Sequence, residues 1–92
     1  MIGLRENTVA EIGHFRVGLS HIWKESWTTQ TGEPLQAVRG TLSILSDLPE
    51  ENHDFRVAAG DVVRIGDLEY RVVDIQEGDV LGSATLEMVR EI

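Results

Sequence analysis

Ninety-two residues, 41% of them hydrophobic and 26% charged, make one domain with a single modest core and argue against a disordered chain. The absence of cysteine excludes disulfides and thiolate metal sites. Sixteen acidic residues face eight basic ones, a formal net charge of -8, and the basic residues are one lysine, Lys24, and seven scattered arginines. That balance disfavours DNA, RNA and anionic membranes as partners and serves solubility.

No apolar run approaches membrane-spanning length, and Met1 to Asn7 has no apolar core of the signal-peptide kind. A small cysteine-free domain is expected in a reducing cytoplasm. Nine glycines punctuate the chain, and Val-, Ile-, Leu- and Thr-rich segments lie between them. Turn signals at such intervals predict short antiparallel strands.

In chain order, a brief strand is expected over Thr8 to Ile12 and a longer one over His14 to Trp23. In the latter, Phe15, Val17, Leu19, His21 and Trp23 share a face by two-residue alternation. Lys24 to Pro34 reads as a polar loop. Val38, Leu42 and Ile44 share a face of the next strand, with Gly40 marking a bulge or close packing under an aromatic ring. Asp47 to Asp54 reads as an acidic loop, with at most one helical turn in Pro49 to His53. Phe55 and Val57 begin another strand.

The sharpest signal is C-terminal. Val62 to Ile65 and Leu68 to Ile75 flank Gly66-Asp67, a pair suited to a tight hairpin turn. Ser83 to Val89 follows, with Ala84, Leu86 and Met88 on its apolar side. No window keeps a 3.6-residue apolar period. The fold class is therefore all-β: a compact antiparallel β-sandwich or partly open barrel of about six or seven short strands.

Few residues point to chemistry. His14 and His21 fall on opposite faces of a regular strand, and His53 lies among Glu50, Glu51 and Asp54. This does not supply a transition-metal site, and neither an EF-hand nor a phosphate-binding glycine loop is present. His21 is expected to be half-buried and satisfied by a backbone group. Gly18-Leu19-Ser20-His21-Ile22 breaks the Gly-x-Ser-x-Gly elbow, and adjacent strand residues point apart, so no Ser-His dyad is implied. Glu50 and Glu51, with no apolar neighbours in sequence, read as solvated charge. Neither a catalytic centre nor a cofactor is expected.

Trp23 and Trp27 bracket Lys24-Glu25-Ser26. Alternation assigns Trp23 to the core, with Trp27 following if the strand continues, as plugs at one end of the fold. The alternative is an exposed anchor for a partner.

Ala59 to Ile75 runs Gly-Asp-x-apolar-x-apolar-Gly, then an aromatic, then alternating valines. It resembles small uncharacterised bacterial proteins of actinobacterial type, and head–tail joining and tail-completion proteins of phages. The bacterial likeness implies no function. The phage likeness implies self-assembly through loops and strand edges, although the helical insertions of many such proteins are missing.

These readings predict a non-enzymatic binding or assembly module. Its candidate contact residues are Lys24 and Trp27 in one loop and Glu50, Glu51 and His53 in the other. The partner is another protein or a second copy, including an edge-paired homodimer. Alternatives are an acidic decoy or immunity-type inhibitor of a basic target, and a small-ligand or cupin-like barrel.

Overall fold

The computed structural model describes residues 1–92. Alternating apolar and polar residues between turns give eight strands: β1 (Ile2–Arg5), β2 (Val9–Ile12), β3 (Phe15–Thr28), β4 (Pro34–Leu45), β5 (His53–Ala58), β6 (Val62–Ile65), β7 (Leu68–Gln76) and β8 (Ser83–Glu91). The only helical element is one 3₁₀ turn at Pro49–Glu51. It lies within the single turn expected there.

The strands form two four-stranded antiparallel sheets, ordered β1-β8-β7-β6 and β2-β3-β4-β5. Both are meanders, except that β1 is laid against β8 while the chain passes on to the other sheet. The sheets pack face to face as a sandwich and do not close into a barrel. Leu4, Val17, Leu19, Leu42, Ile44, Val72 and Leu86 form the most buried part of the core between them. Each fully buried aliphatic side chain contributes roughly 1.5–3 kcal/mol.

The β6–β7 hairpin forms at the predicted residues, with Ile65 opposite Leu68. Gly66 turns with φ +62°, and a Cβ there would stand 2.7 Å from Phe15 Cε2. Here an aromatic ring does lie on a glycine. The expected site for such packing, Gly40, is instead met by Ile22 and Leu19.

Three features depart from the sequence reading. First, β1 is an eighth strand, too short to show its own alternation and placed by pairing Ile2 with Leu86 and Leu4 with Ala84. Second, the loop expected over Lys24 to Pro34 is mostly strand. Only Thr29 to Glu33 turns, closed by Thr29 N–H to Glu33 O and Gly32 N–H to Thr29 O, both 2.9 Å. The rungs from Lys24–Val38 to Thr28–Pro34 extend beyond β2, whose pairing with β3 stops at Gly18, and beyond β5, whose pairing with β4 begins at Arg39. They make a projecting two-stranded ribbon. Third, Met88, expected on the apolar side of β8, is 57% exposed. β8 runs past the last β1 pair, Ile2–Leu86, so Met88 has a strand neighbour, β7, on one side only.

The decisive departure is a bulge in β3. The β3–β4 register shifts between Ser20 and Trp23, and His21 sits at φ +54°. One residue in the left-handed region breaks the two-residue alternation. Ile22 takes the inward position, and Trp23 turns out to 46% exposure. The assignment of His21 and Trp23 to the core face is thereby reversed. Glu6 supports this kink: its carboxylate accepts from Gly82 N–H at 2.9 Å and from Ile22 N–H at 3.4 Å.

Candidate functional site

Past the bulge, Trp23, Glu25 and Trp27 point to the same outward face of the ribbon, because β3 resumes its alternation there. Arg39, opposite Trp23, places its guanidinium 4.7 Å from the Trp27 ring centroid. Arg56 reaches across from β5, 4.4 Å from the centroid of Trp23. Glu25 lies between the two cations: Oε1 accepts from Arg56 Nε at 2.8 Å and from Arg56 Nη2, and Oε2 accepts from Arg39 Nη1 at 3.4 Å. Arg56 also donates to the His21 carbonyl and to Thr41 Oγ1. The resulting order is Trp23, Arg56, Glu25, Arg39, Trp27. It interleaves two indoles with two guanidinium planes, and each stacked pair contributes about 0.5–1 kcal/mol at such exposure.

Hydrogen bonding from Arg56 holds the Glu25 carboxyl below the ordinary glutamate range, against partial desolvation, and the charges of Arg56 and Arg39 add to the lowering. A carboxyl with a depressed folded-state pKa contributes stability that is fully present above its unfolded value. That contribution is lost as pH falls from about 4.5 through the lower folded-state value. Denaturant midpoints measured against pH will therefore fall across this acid window. In Glu25→Gln the fall will be smaller, because no carboxyl remains at that position to take up the proton.

A second concavity lies at the other end of the sandwich, between the edge strands β5 and β6. It encloses about 430 Å³ and is lined by Phe15, Ile44, Phe55, Gly66, Glu50, Glu51, His53 and Arg64. The 3₁₀ turn brings the two glutamates there. Ser46 Oγ donates to Glu51 Oε1 at 2.8 Å, and Asn52 Oδ1 accepts from Ser46 N–H at 2.8 Å, which fastens the loop to the end of β4. Glu50 is exposed, as solvated charge is, while Glu51 is half-buried at the border of an apolar floor. Arg64 donates through Nε to the Gly66 carbonyl at 3.0 Å.

The five sequence candidates separate into two groups. Glu50, Glu51 and His53 meet at the groove. Trp27 and Lys24 lie on opposite faces of the ribbon, because they are an odd number of residues apart on one strand. The rungs Trp27–Leu35 and Ile44–His53 are nine residues apart along β4, about 30 Å of extended chain. The sequence reading missed Arg39, Arg56 and Glu25, whose meeting depends on strand pairing, and Phe15 and Phe55, which read there only as core residues.

Ser20 and His21 also differ from expectation. The left-handed turn at His21 folds its ring back, so Nδ1 lies 3.0 Å from Ser20 Oγ. His21 is exposed rather than half-buried, and its nitrogen partner is a side chain rather than the backbone. Trp23 meets the imidazole edge-on at 5.6 Å, and Arg56 binds the His21 carbonyl. Neither contact orients the far ring nitrogen or offers a donor to a developing oxyanion, the functions a nucleophilic serine requires. No three His, Asp or Glu side chains converge with metal-binding geometry, and no helix is long and apolar enough to cross a membrane.

The class these features define is an antiparallel β-sandwich with a projecting ribbon and an edge groove. Compared with protein-family models, with curated proteins and with solved structures, the chain finds no match.

Proposed function

We propose that this chain is a non-enzymatic protein-binding module and that the β3–β4 ribbon is its contact element. The supporting observation is the braced ladder of Trp23, Arg56, Glu25, Arg39 and Trp27 on one outward face. Tryptophan and arginine are the residue types that most often dominate binding hot spots. Here their rotamers are already fixed by stacking and by Glu25, which reduces the ordering cost of association. Leu35, 42% exposed opposite Trp27, extends the apolar strip.

The decoy reading fits less well. A mimic of a phosphate backbone needs a contiguous carboxylate face, whereas here Arg16 pairs with Asp47, Arg90 with Glu69, and Arg39 and Arg56 with Glu25.

Immobilised wild type and a Trp23→Ala/Trp27→Ala variant, challenged with lysate of the source organism, test the proposal. The variant keeps the β-sheet spectrum and loses about 1–2 kcal/mol of stability, because both indoles are peripheral. The expected result is a protein retained by wild type and lost from the variant. Equal retention by both, or by neither, would contradict the proposal.

A further inference from the structure

The ribbon and the groove lie at opposite ends of the second sheet and are chemically complementary. The ribbon end carries Lys24, Arg39 and Arg56 against Glu25 and Glu33, in a chain whose net charge is -8. Its last rung but one, Trp27–Leu35, presents apolar surface. The groove has an apolar floor of Phe15, Ile44 and Phe55, with Glu50 and Glu51 on its rim. Asp54 and Asp67 stand nearby, against the single arginine Arg64. Backbone valences match as well. Past the bulge, from Trp23 onward, β3 has no strand neighbour on its outer side, and β5 and β6 each pair on one side only. Both surfaces therefore offer free edge N–H and C=O groups.

We infer that the occupant of the groove is a second copy of this chain. The ribbon of one molecule adds to the free edge of β5 in the next and seats Trp27 on Phe15 and Phe55, which sets the positive end of the ribbon beside the acidic rim of Glu50 and Glu51. An indole of this kind buries roughly 150–250 Å², and edge pairing supplies main-chain hydrogen bonds. The contact joins two different surfaces, so it is heterologous: each molecule keeps one free ribbon and one free groove, and assembly proceeds head to tail. The inference rests on the ribbon being a binding element and adds what it binds.

Light scattering from about 1 μM to about 1 mM protein tests it. Wild type is expected to gain mass with concentration, less so at high salt. Trp27→Ala removes the anchor and Glu50→Lys/Glu51→Gln removes the acidic rim, and each weakens association about 30-fold. Mixed together, these two variants form a 1:1 heterodimer and nothing larger, because only one intact ribbon meets one intact groove. A symmetric ribbon-to-ribbon dimer would instead survive the Glu50→Lys/Glu51→Gln change. If that double variant proves unstable, Arg64→Glu serves: removing the groove's one arginine raises association about twofold to fivefold.

A wild type that stays monomeric, a mixture that stays monomeric, or self-association untouched by the groove changes would overturn the inference. A monomeric wild type that still captures a host protein through Trp23 and Trp27 would remove the copy-to-copy contact alone. Failure of both experiments would remove the binding role of the ribbon as well.

Discussion

Replacing Gly66 with valine will lower the free energy of unfolding by about 2–4 kcal/mol, as read from equilibrium denaturation. Two effects add. Gly66 holds φ +62°, a conformation costing roughly 1–2 kcal/mol for an L-residue and more for a β-branched one. The new side chain also meets the Phe15 ring at 2.7 Å from its first carbon, and that ring is 7% exposed, packed against the core. Displacing it disturbs both the core and the floor of the groove. The substitution should therefore weaken any contact made there by more than its stability cost alone implies. The same valine at Gly3, where a Cβ meets nothing within 4 Å, is the matched control and should change stability by under about 1 kcal/mol.

The second large effect belongs to Ile22. Its side chain packs against Gly40 and Gly82, so closely that a Cβ on either glycine would approach it to 3.1 and 2.7 Å. Ile22→Ala opens a cavity at the point where the bulge is pinned, with an expected cost of about 2–5 kcal/mol. The backbone there is held by Glu6, which bonds both Ile22 and Gly82. The cavity is thus bounded by fixed chain and has little freedom to collapse. Circular dichroism should show the β-sheet retained while the denaturation midpoint falls.

Much of the fold is legible in the residues. The hairpin around Gly66-Asp67, the inward Leu42 and Ile44, and the short turn after Pro49 all follow from local alternation and turn chemistry. What local pattern does not carry is pairing. β1 is a strand because β8 offers it an edge. The Lys24 to Thr28 segment, polar and without a core to face, reads as loop yet is strand because β4 returns alongside it.

The candidate site was legible in part, for the same reason. Trp27, Lys24, Glu50, Glu51 and His53 were visible as residue types in two places. The outward face on which Trp27 joins Trp23 and Glu25 depended on a single residue, His21, entering the left-handed region. Little in Ser20-His21-Ile22 marks a bulge: histidine is enriched among the non-glycine residues that enter that conformation but most histidines do not, and Ile22 continues an apolar run. The side chain that holds the kink, Glu6, is sixteen residues away from Ile22 in sequence. Arg56 is thirty-one residues from Glu25. Neither partnership has a local signal, because only the pairing of the strands brings these charges to their partners.

The binding role proposed for the ribbon depends on the tryptophans facing away from the core, so the comparison of Ile22→Ala with Trp23→Ala is the most direct test. Chemical denaturation of the two variants under one condition suffices. A bulge with His21 turned left-handed predicts the isoleucine loss to cost about 2–5 kcal/mol and the much larger tryptophan loss only about 1 kcal/mol, mostly its stacking on Arg56. The reverse order, with Trp23→Ala the more damaging, would return the indole to the interior and remove the surface on which the proposal stands.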